Sequence, residues 1–436
     1  MDIKNACRYD KYILVITGFC YTNDSSGTSK VVKAHEEIYN EAGCDYIAIH
    51  PIVKHIPGQL GHKVIHSGFY GVVINGHYLG IAHTNDFINE LASLSGDCVN
   101  PIGILVHHVI FNDMTDVTKI VSGIPNAPVV YYLHDFYSYC VNPKMLKNDK
   151  LFCAYEAVDC TGCIYQKDTQ VHNWRMQHFF KTFADRLSFV SPAEFTKNVW
   201  TKLYPEYAHK VKVIPHLVSH GEYKDIESLT DDRPVRIAYV GAQAASKGWL
   251  VWKRFVENAI GNYELYYFGN GKEIFSNVVN YDVQIAKQGK NAMIDALRKH
   301  NIDVAVLSSI CPETYSYTLY ESIAADCYVL TTELSGNIAT VVKAENRGKV
   351  CSDIDELIEY LCDEKRLRND VMQWRKNKAP APLYYDDNTQ VLDVFDLDRQ
   401  YAVVKTVAGV PIAAKVFGSA LEVLYEAKTG LRRKKQ

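Results

Sequence analysis

Two glutamates follow an apolar run in the second half of the sequence and form its most specific chemical pattern. The run 304–307 leads into a loop that holds Glu313, and Glu321 lies in a helical pattern that begins near residue 317. Free backbone N–H groups at a helix start bind phosphate oxygens, and carboxylates accept hydrogen bonds from sugar hydroxyls. The spacing favours a phosphorylated sugar as ligand, although acids in this position can also serve only the helix dipole. The predicted contacts at the helix start are Ser316, Tyr317 and Thr318.

Two loops of small residues follow earlier strands of the same half. Gly241 comes directly after the predicted strand 236–240, and Lys247 lies in the same loop, while Gly269 and Gly271 follow the next strand. Such loops let backbone amides approach an anion, and the lysine adds one ammonium group. The pattern predicts a grip on a diphosphate. The alternative for each loop is an ordinary strand-to-helix turn with a solvated lysine.

Four cysteines lie together in the first half and are called here the four-cysteine cluster. Cys160 and Cys163 have the C-x2-C spacing of a zinc knuckle, and Cys140 and Cys153 lie just upstream. Four thiolates satisfy tetrahedral zinc, so the cluster predicts a structural zinc ion. The alternative is a set of free thiols that only pack in a loop, since the upstream pair lacks knuckle spacing. A metal here would shape the loop rather than take part in chemistry.

The elements that must position these residues alternate between short apolar strands and amphipathic helices, which indicates parallel sheets built from βαβ units. The pattern starts twice, with a polar stretch near 216–234 between the two series. We therefore expect two doubly wound domains, over 1–216 and 217–385, and a helical extension over 386–436. The ten predicted strands are 12–16, 46–49, 103–106, 129–133, 187–190, 211–214, 236–240, 264–268, 304–307 and 328–331. Ligands of such folds bind beyond the carboxyl ends of the strands.

Composition narrows the class of protein. The chain has 436 residues, 47% of them hydrophobic, which fits a globular protein. Its 47 basic residues stand against 50 acidic ones, and this balance argues against a polyanion binder such as a nucleic-acid protein. A polar start and the lack of a long apolar run predict a cytoplasmic protein. The expected helix 412–428 and the basic residues after it could touch an anionic membrane, although a helix packed on the core with a solvated tail is the stronger alternative.

The motifs together resemble those of the family 4 retaining glycosyltransferases, which have the GT-B fold. Glu313 and Glu321 resemble the Glu-x7-Glu signature of that family, and Gly241 through Lys247 resembles its small-residue loop ending in Lys-Gly. The motifs occur in the family's order across about residues 12–332. The resemblance implies two Rossmann-like domains that face a cleft, a nucleotide-diphosphate sugar donor, retention of anomeric configuration, and no cofactor in the chemistry.

The resemblance also implies roles for single residues. Glu313 would hold the donor sugar, Glu321 the ribose and Lys247 the diphosphate. His134, in a His-Asp pair after a strand, would reach the donor sugar, and Gly27 lies in a loop that would face the acceptor and the donor phosphate. We rank His107 and His108 lower, as wall residues. Ala242 stands where the family has an arginine, so one phosphate contact is missing or comes from elsewhere.

The expected function is transfer of a hexose-type sugar to a glycan or a lipid-linked glycan, in cell-surface polysaccharide biosynthesis. Two alternatives stay open. A non-catalytic protein that binds nucleotide sugars is favoured by Ala242. A dinucleotide-dependent oxidoreductase is disfavoured, because its fingerprint needs a third glycine where the sequence has Ile274.

Overall fold

A computed structural model describes residues 2–24, 26–56, 62–153, 158–224, 229–405 and 412–430. It divides the chain into two compact units. Unit 1 comprises residues 1–192, 197–216 and 388–436, and unit 2 comprises residues 193–196 and 217–387. Each unit is built around its own sheet.

The strands of unit 1 are β1 (Lys11–Ile16), β2 (Asp45–His55), β3 (Val64–Ile74), β4 (His77–His83), β5 (Asn100–Val106), β6 (Val129–Tyr132), β7 (Leu146–Lys147), β8 (Leu151–Phe152), β9 (Leu187–Ser191) and β10 (Val211–Val213). Eight of them form one sheet in the order β10-β9-β6-β5-β1-β2-β3-β4, and β7 pairs with β8. The central strands are parallel and almost wholly apolar, because they are covered on both faces.

The helices that follow these strands in the chain are α1 (Gly27–Glu41), α2 (Thr84–Gly96), α3 (Met114–Ser122), α4 (Gln166–Thr182) and α5 (Glu194–Leu203). Short 3-10 helices cover Lys4–Ala6, Tyr21–Asn23 and Pro205–Lys210. Ser26 caps α1 by accepting a hydrogen bond from the Ser29 N–H, and Asp113 caps α3 in the same way from Thr115.

The antiparallel edge β2-β3-β4 was not predicted from the sequence. A two-residue turn joins β3 to β4, with Asn75 at φ 48° and Gly76 at φ 77°. Two positive φ values define a type I′ turn, for which Asn-Gly is the preferred sequence. The signal for this hairpin was therefore present at residues 75–76, although the apolar runs beside it lack a clean alternation.

Unit 2 contains β11 (Leu217–His220), β12 (Val235–Val240), β13 (Tyr263–Gly269), β14 (Val278–Asp282), β15 (Val304–Val306), β16 (Tyr328–Thr332), β17 (Gly348–Cys351) and β18 (Tyr384–Asp387). Its parallel sheet has the order β14-β13-β12-β15-β16-β17, and β11 pairs with β18. Its helices are α6 (Trp249–Asn258), α7 (Ile285–Gln288), α8 (Ala292–Lys299), α9 (Tyr317–Ala324), α10 (Asn337–Ala344), α11 (Ile354–Cys362) and α12 (Glu364–Asn377), with 3-10 turns at Ala245–Lys247 and Glu333–Ser335.

The end of the chain, predicted as a helical extension over 386–436, belongs to unit 1. After the 3-10 helix Thr389–Val394, Phe395 lies in the core, and a Cβ added at Gly103 would come within 2.2 Å of its ring. The Tyr39 hydroxyl donates to the Val391 carbonyl at 2.9 Å. The last helix, α13 (Ile412–Thr429), follows the predicted helix 412–428 closely. Buried aromatic and aliphatic contacts explain why this segment belongs to unit 1.

Within the described ranges, none of the helices has the length and apolar character that a membrane crossing requires.

Candidate active site

The predicted donor-site residues lie at the topological switch point of the unit 2 sheet. From the central strand β12 the chain adds β13 and β14 on one side, and then crosses to add β15, β16 and β17 on the other. The loops after β12 and β15 therefore diverge at the carboxyl edge, which is where open α/β sheets bind ligands. Lys247 lies in the first of these loops and Glu313 in the second.

These two side chains form an ion pair. Lys247 Nζ donates to both carboxylate oxygens of Glu313, at 2.7 and 2.6 Å, and the Ser309 hydroxyl donates to Glu313 Oε1 at 2.8 Å. The Glu313 side chain is 11% exposed and the Lys247 side chain 46%. The carboxylate is thus held in place by two neighbours, while the ammonium keeps an open side towards solvent.

The backbone on both sides of Glu313 is also fixed. Its N–H donates to the Ser335 carbonyl at 3.2 Å, and its own carbonyl accepts from the Asn337 N–H at 2.9 Å. The loop after β16 therefore supports the loop after β15. Neither Ser309 nor this support was identified from the sequence, since the contacts join segments that the chain pattern does not relate.

Close approach of the loops explains two of the glycines. Gly248, directly after Lys247, has φ 85°, and an added Cβ would lie 2.1 Å from the Ser308 carbonyl oxygen. Gly269 ends β13, and its Cβ would lie 2.4 Å from the Gly241 carbonyl oxygen. Gly241 and Gly271 are in the same group of loops, so the structure brings together all the predicted small residues of unit 2.

Helix α9 begins beside these loops, at the residue predicted from the sequence. Ser316 is its N-cap and accepts from the Leu319 N–H, and its hydroxyl lies 3.0 Å from that of Thr318. A Cβ on Gly241 would be 3.6 Å from the Thr318 methyl group, so the helix start faces the glycine loop. Glu321 lies inside the helix and is only 9% exposed. Burial raises the pKa of Tyr317, with Asp387 and Glu321 as smaller causes.

This arrangement suits a ligand that carries both phosphates and hydroxyls. The phosphates would accept hydrogen bonds from the ammonium and from the amides at the start of α9, and hydroxyls would donate to the carboxylate. Such a ligand can replace the Lys247–Glu313 contact, with a phosphate for the ammonium and hydroxyl hydrogen bonds for the carboxylate, which lowers the cost of opening the pair.

In unit 1, His134 lies in a group of stacked and hydrogen-bonded histidines. His107 Nδ1 and His134 Nε2 are 2.9 Å apart, and His107 Nε2 contacts both His35 Nδ1 (3.3 Å) and the Tyr46 hydroxyl (3.2 Å). The rings of His134 and His216 stack with centroids 5.5 Å apart. Sequence reasoning ranked His107 as a wall residue and did not identify this chain of rings.

Burial keeps these imidazoles neutral. It lowers the pKa of His35 and of His216 to about 3, and it lowers the pKa values of His107 and His134 well below the ordinary value, with the neighbouring histidines adding to the effect. Where two neutral rings are hydrogen-bonded, one nitrogen must donate its proton and the other must accept it. The tautomer of His134 therefore depends on the tautomer of His107.

His108 and Asp135 form a second pair at the same edge. The Asp135 carboxylate accepts from His108 Nε2 at 2.7 Å and from the Tyr137 N–H at 2.8 Å, and His108 Nδ1 accepts from the Ile110 N–H at 2.9 Å. Burial alone would raise the pKa of Asp135, but His108 and the Tyr137 amide hold it below its usual value. Gly27, by contrast, is the first residue of α1, where an added Cβ would meet nothing within 4 Å.

The four-cysteine cluster lies around the β7–β8 hairpin. The Cys163 N–H donates to the Cys160 carbonyl and closes a turn. The Cys140 thiol contacts the Thr169 hydroxyl, and the Cys153 thiol donates to the Met145 carbonyl. Across the part of the chain that the structure describes, no three His, Cys, Asp or Glu side chains are arranged to hold a metal ion. Zinc binding stays a prediction that metal analysis can test.

Comparisons with known proteins bear on the fold. No family model and no curated protein matches the sequence. WaaG, a glycosyltransferase involved in lipopolysaccharide biosynthesis, is 13% identical with a TM-score of 0.51, over 88% of this chain and 100% of its own. Sucrose-phosphate synthase from Thermosynechococcus elongatus is 11% identical with a TM-score of 0.51, over 96% and 100%.

The chain has the GT-B fold. The predicted fold class of two Rossmann-like α/β domains is thereby confirmed, with the parallel sheets of both units as its structural basis. Identity at this level shows a shared architecture and leaves activity and substrates to be argued from the residues of this chain.

Proposed function

We propose that the protein is a retaining glycosyltransferase that moves a hexose-type sugar from a nucleotide-diphosphate donor to a glycan or a lipid-linked glycan, in cell-surface polysaccharide biosynthesis. The observation that carries this proposal is the position of Lys247 and Glu313 in the two loops that diverge at the unit 2 switch point. The start of α9 beside them adds amide donors for phosphate.

Glu313 is assigned to the donor sugar. Its carboxylate is mostly buried, is oriented by the Ser309 hydroxyl, and has its backbone fixed on both sides. A carboxylate held in this way accepts hydrogen bonds from sugar hydroxyls with little loss of conformational entropy on binding. Glu321, inside α9, is assigned to the ribose.

Lys247 and the amides of α9 are assigned to the diphosphate. Bond breaking between the sugar and the donor phosphate builds negative charge on the leaving oxygen, and a fixed ammonium with helix-start amides stabilises that charge. The leaving phosphate can then take the proton of the acceptor hydroxyl on the same face of the sugar. This scheme retains the anomeric configuration and needs no metal or other cofactor. The role proposed for His134 is contact with the donor sugar.

The main alternative is a protein that binds nucleotide sugars without turning them over. Ala242 favours it, because a side chain without charge stands in the phosphate loop. The Lys247–Glu313 pair is common to both functions, so binding alone does not distinguish them. Transfer measured on the same protein does.

The test is a transfer assay with UDP-, GDP- and ADP-sugars and an acceptor panel, on wild type and on Glu313→Ala. We expect turnover with at least one donor and a fall of about 10²–10³-fold in kcat for the variant. Glu257→Ala is the matched control, since Glu257 is an exposed acid near the end of α6. Near-normal turnover by purified Glu313→Ala would refute the assignment. Donor binding without transfer to any acceptor would favour the alternative.

Contact with a membrane surface would suit a lipid-linked acceptor. On α13 the side chains of Phe417, Val423 and Leu424 are 54%, 67% and 67% exposed, which supports the proposal that this helix lies on a bilayer. The basic residues Arg432, Arg433, Lys434 and Lys435, named in the sequence prediction, lie outside the described residues. Flotation with anionic vesicles tests the contact, and protein that stays with the soluble fraction contradicts it.

A further inference from the structure

A buried tyrosine lies at one end of the hydrogen-bonded histidines of unit 1. The contacts run from Tyr46, on β2, through His107, which follows β5, to His134, which follows β6. The Tyr46 hydroxyl lies 3.2 Å from His107 Nε2, and His107 Nδ1 lies 2.9 Å from His134 Nε2. Each contact holds one hydrogen atom, and the chemistry of the three side chains decides which atom carries it.

The phenol decides the first contact. Tyr46 and His107 are fully buried, so bulk water reaches neither side chain. A phenol carries its hydrogen on oxygen, and among the described residues His107 Nε2 is the only hydrogen-bond partner of this hydroxyl. If His107 carried a proton on Nε2, the phenol hydrogen would be left unpaired in the core, which is unfavourable. The Tyr46 hydroxyl therefore donates and His107 Nε2 accepts.

The second contact follows from the first. Burial lowers the pKa of His107 well below the ordinary value and keeps the ring neutral. A neutral imidazole carries a proton on one nitrogen only. Since His107 Nε2 is an acceptor, its proton lies on Nδ1 and is donated to His134 Nε2. Burial lowers the pKa of His134 as well, so this ring is also neutral and its own proton lies on Nδ1.

His35 is compatible with this arrangement. Its Nδ1 lies 3.3 Å from His107 Nε2 and approaches the same lone pair as the Tyr46 hydroxyl. Burial lowers the pKa of His35 to about 3, so this ring is neutral too. A neutral imidazole can carry its proton on either nitrogen, whereas the phenol hydrogen has one oxygen only. Tyr46 is therefore the group that sets the direction of the hydrogen bonds.

We propose that Tyr46 and His107 are positioning residues that hold His134 in the tautomer with its proton on Nδ1. The tautomer requires neither donor nor transfer, and the proposal rests on the proposed function only for the role of His134. In that role the ring offers an N–H to an oxygen of the donor sugar and does not act as a base. This agrees with a scheme in which the leaving phosphate takes the proton of the acceptor hydroxyl.

The test is nitrogen-15 NMR of the full chain labelled at histidine, without nucleotide. The signals of the two rings are assigned from His107→Gln and His134→Gln. In both rings we expect a protonated Nδ1 and an unprotonated Nε2, with a scalar coupling across the hydrogen bond between His107 Nδ1 and His134 Nε2. A proton on His134 Nε2, or equal populations of the two tautomers, would overturn the proposal.

Tyr46→Phe removes the hydroxyl from the end of the contacts, and Tyr39→Phe is the matched control. Tyr39 is also fully buried and its ring packs beside that of Tyr46, but its hydroxyl donates to the Val391 carbonyl. In Tyr46→Phe we expect a mixture of His134 tautomers, with the two nitrogen signals moved towards each other. In Tyr39→Phe these signals should stay in place. Unchanged signals in both variants, or equal shifts in both, would refute the role of Tyr46.

Transfer assays on the same variants connect the tautomer to turnover. In Tyr46→Phe, kcat/KM should fall by the factor by which the Nδ1-protonated form of His134 is depleted, because only that form is competent. Normal transfer by a protein with a depleted tautomer would contradict the positioning role. Since the NMR measurement uses no donor and no acceptor, failure of the tautomer assignment is distinct from failure of the glycosyltransferase assignment.

Discussion

Acidification from pH 7.5 to pH 5.0 is expected to destabilise unit 1 far more than unit 2. Burial lowers the pKa to about 3 for His35, His50 and His216, and to about 4 for His172. In the unfolded chain these groups have a pKa of about 6.5 and bind protons first. The buried neutral rings therefore make their full contribution to the free energy of unfolding above pH 6.5. That contribution falls as the pH drops through 6.5 and keeps falling towards pH 3.

The loss of stability at pH 5.0 can be worked out as long as the pKa of each of these histidines lies below 5 in the folded protein. Each histidine then costs the difference between 6.5 and 5.0 multiplied by 1.36 kcal/mol, or about 2 kcal/mol, and these four cost about 8 kcal/mol. His107 and His134, whose pKa values burial also lowers, add to this loss. Total stabilities of domains are about 5–15 kcal/mol. Glu36 and Asp116, whose carboxyl pKa values burial raises, offset part of this loss. Unit 2 contains only His220 and His300.

The assay is pulsed hydrogen exchange in a urea series, read by mass spectrometry, which gives a free energy of unfolding for peptides from each unit. His50→Gln removes one titrating group whose ring contacts the Tyr425 hydroxyl at 2.8 Å. The pH dependence of unit 1 should shrink by about 2 kcal/mol in this variant. Equal stability of unit 1 at both pH values, or an unchanged pH dependence in His50→Gln, would refute the reasoning.

Three further predictions concern single residues and the metal. Asp303→Ala should destabilise unit 2 by about 3–5 kcal/mol in urea unfolding, because it removes a fully buried carboxylate that pairs with the guanidiniums of both Arg233 and Arg375 at 2.7–2.8 Å; a change under about 1 kcal/mol contradicts it. Gly248→Ala should abolish transfer and cost at least about 1–3 kcal/mol, since the new Cβ meets the Ser308 carbonyl and φ is positive; normal activity would disprove this. Metal analysis of protein purified without chelator should give about one zinc per chain at the four-cysteine cluster, and a value near zero removes that site.

The sequence predicted the elements whose signal is local. All ten predicted strands are present, and α9 begins at Tyr317 because an apolar run and a serine cap define it there. Asp326, which stands where the resembled family has glycine, has a φ of 60°, and its carboxylate pairs with Lys378 Nζ at 2.6 Å. Glycine would adopt this φ without the strain that a residue with a Cβ carries there.

What the sequence did not predict depends on contacts between distant segments. The Lys247–Glu313 ion pair joins two loops that only the sheet order brings together, and the contact between His107 and His134 arises in the same way. The packing of the chain end on unit 1 rests on apolar residues such as Val391 and Phe395, which lie in a stretch without regular periodicity. Periodicity carries no information on such pairs.

The central claim is that the loops at the unit 2 switch point bind a sugar nucleotide. Calorimetric titration of the full chain with UDP-, GDP- and ADP-sugars tests it most directly, on wild type, Lys247→Ala, Glu313→Gln and the control Glu257→Ala. We predict binding of at least one donor, weakened tenfold or more in the first two variants and unchanged in the control. No binding of any donor, or equal affinity in all four proteins, would contradict the account.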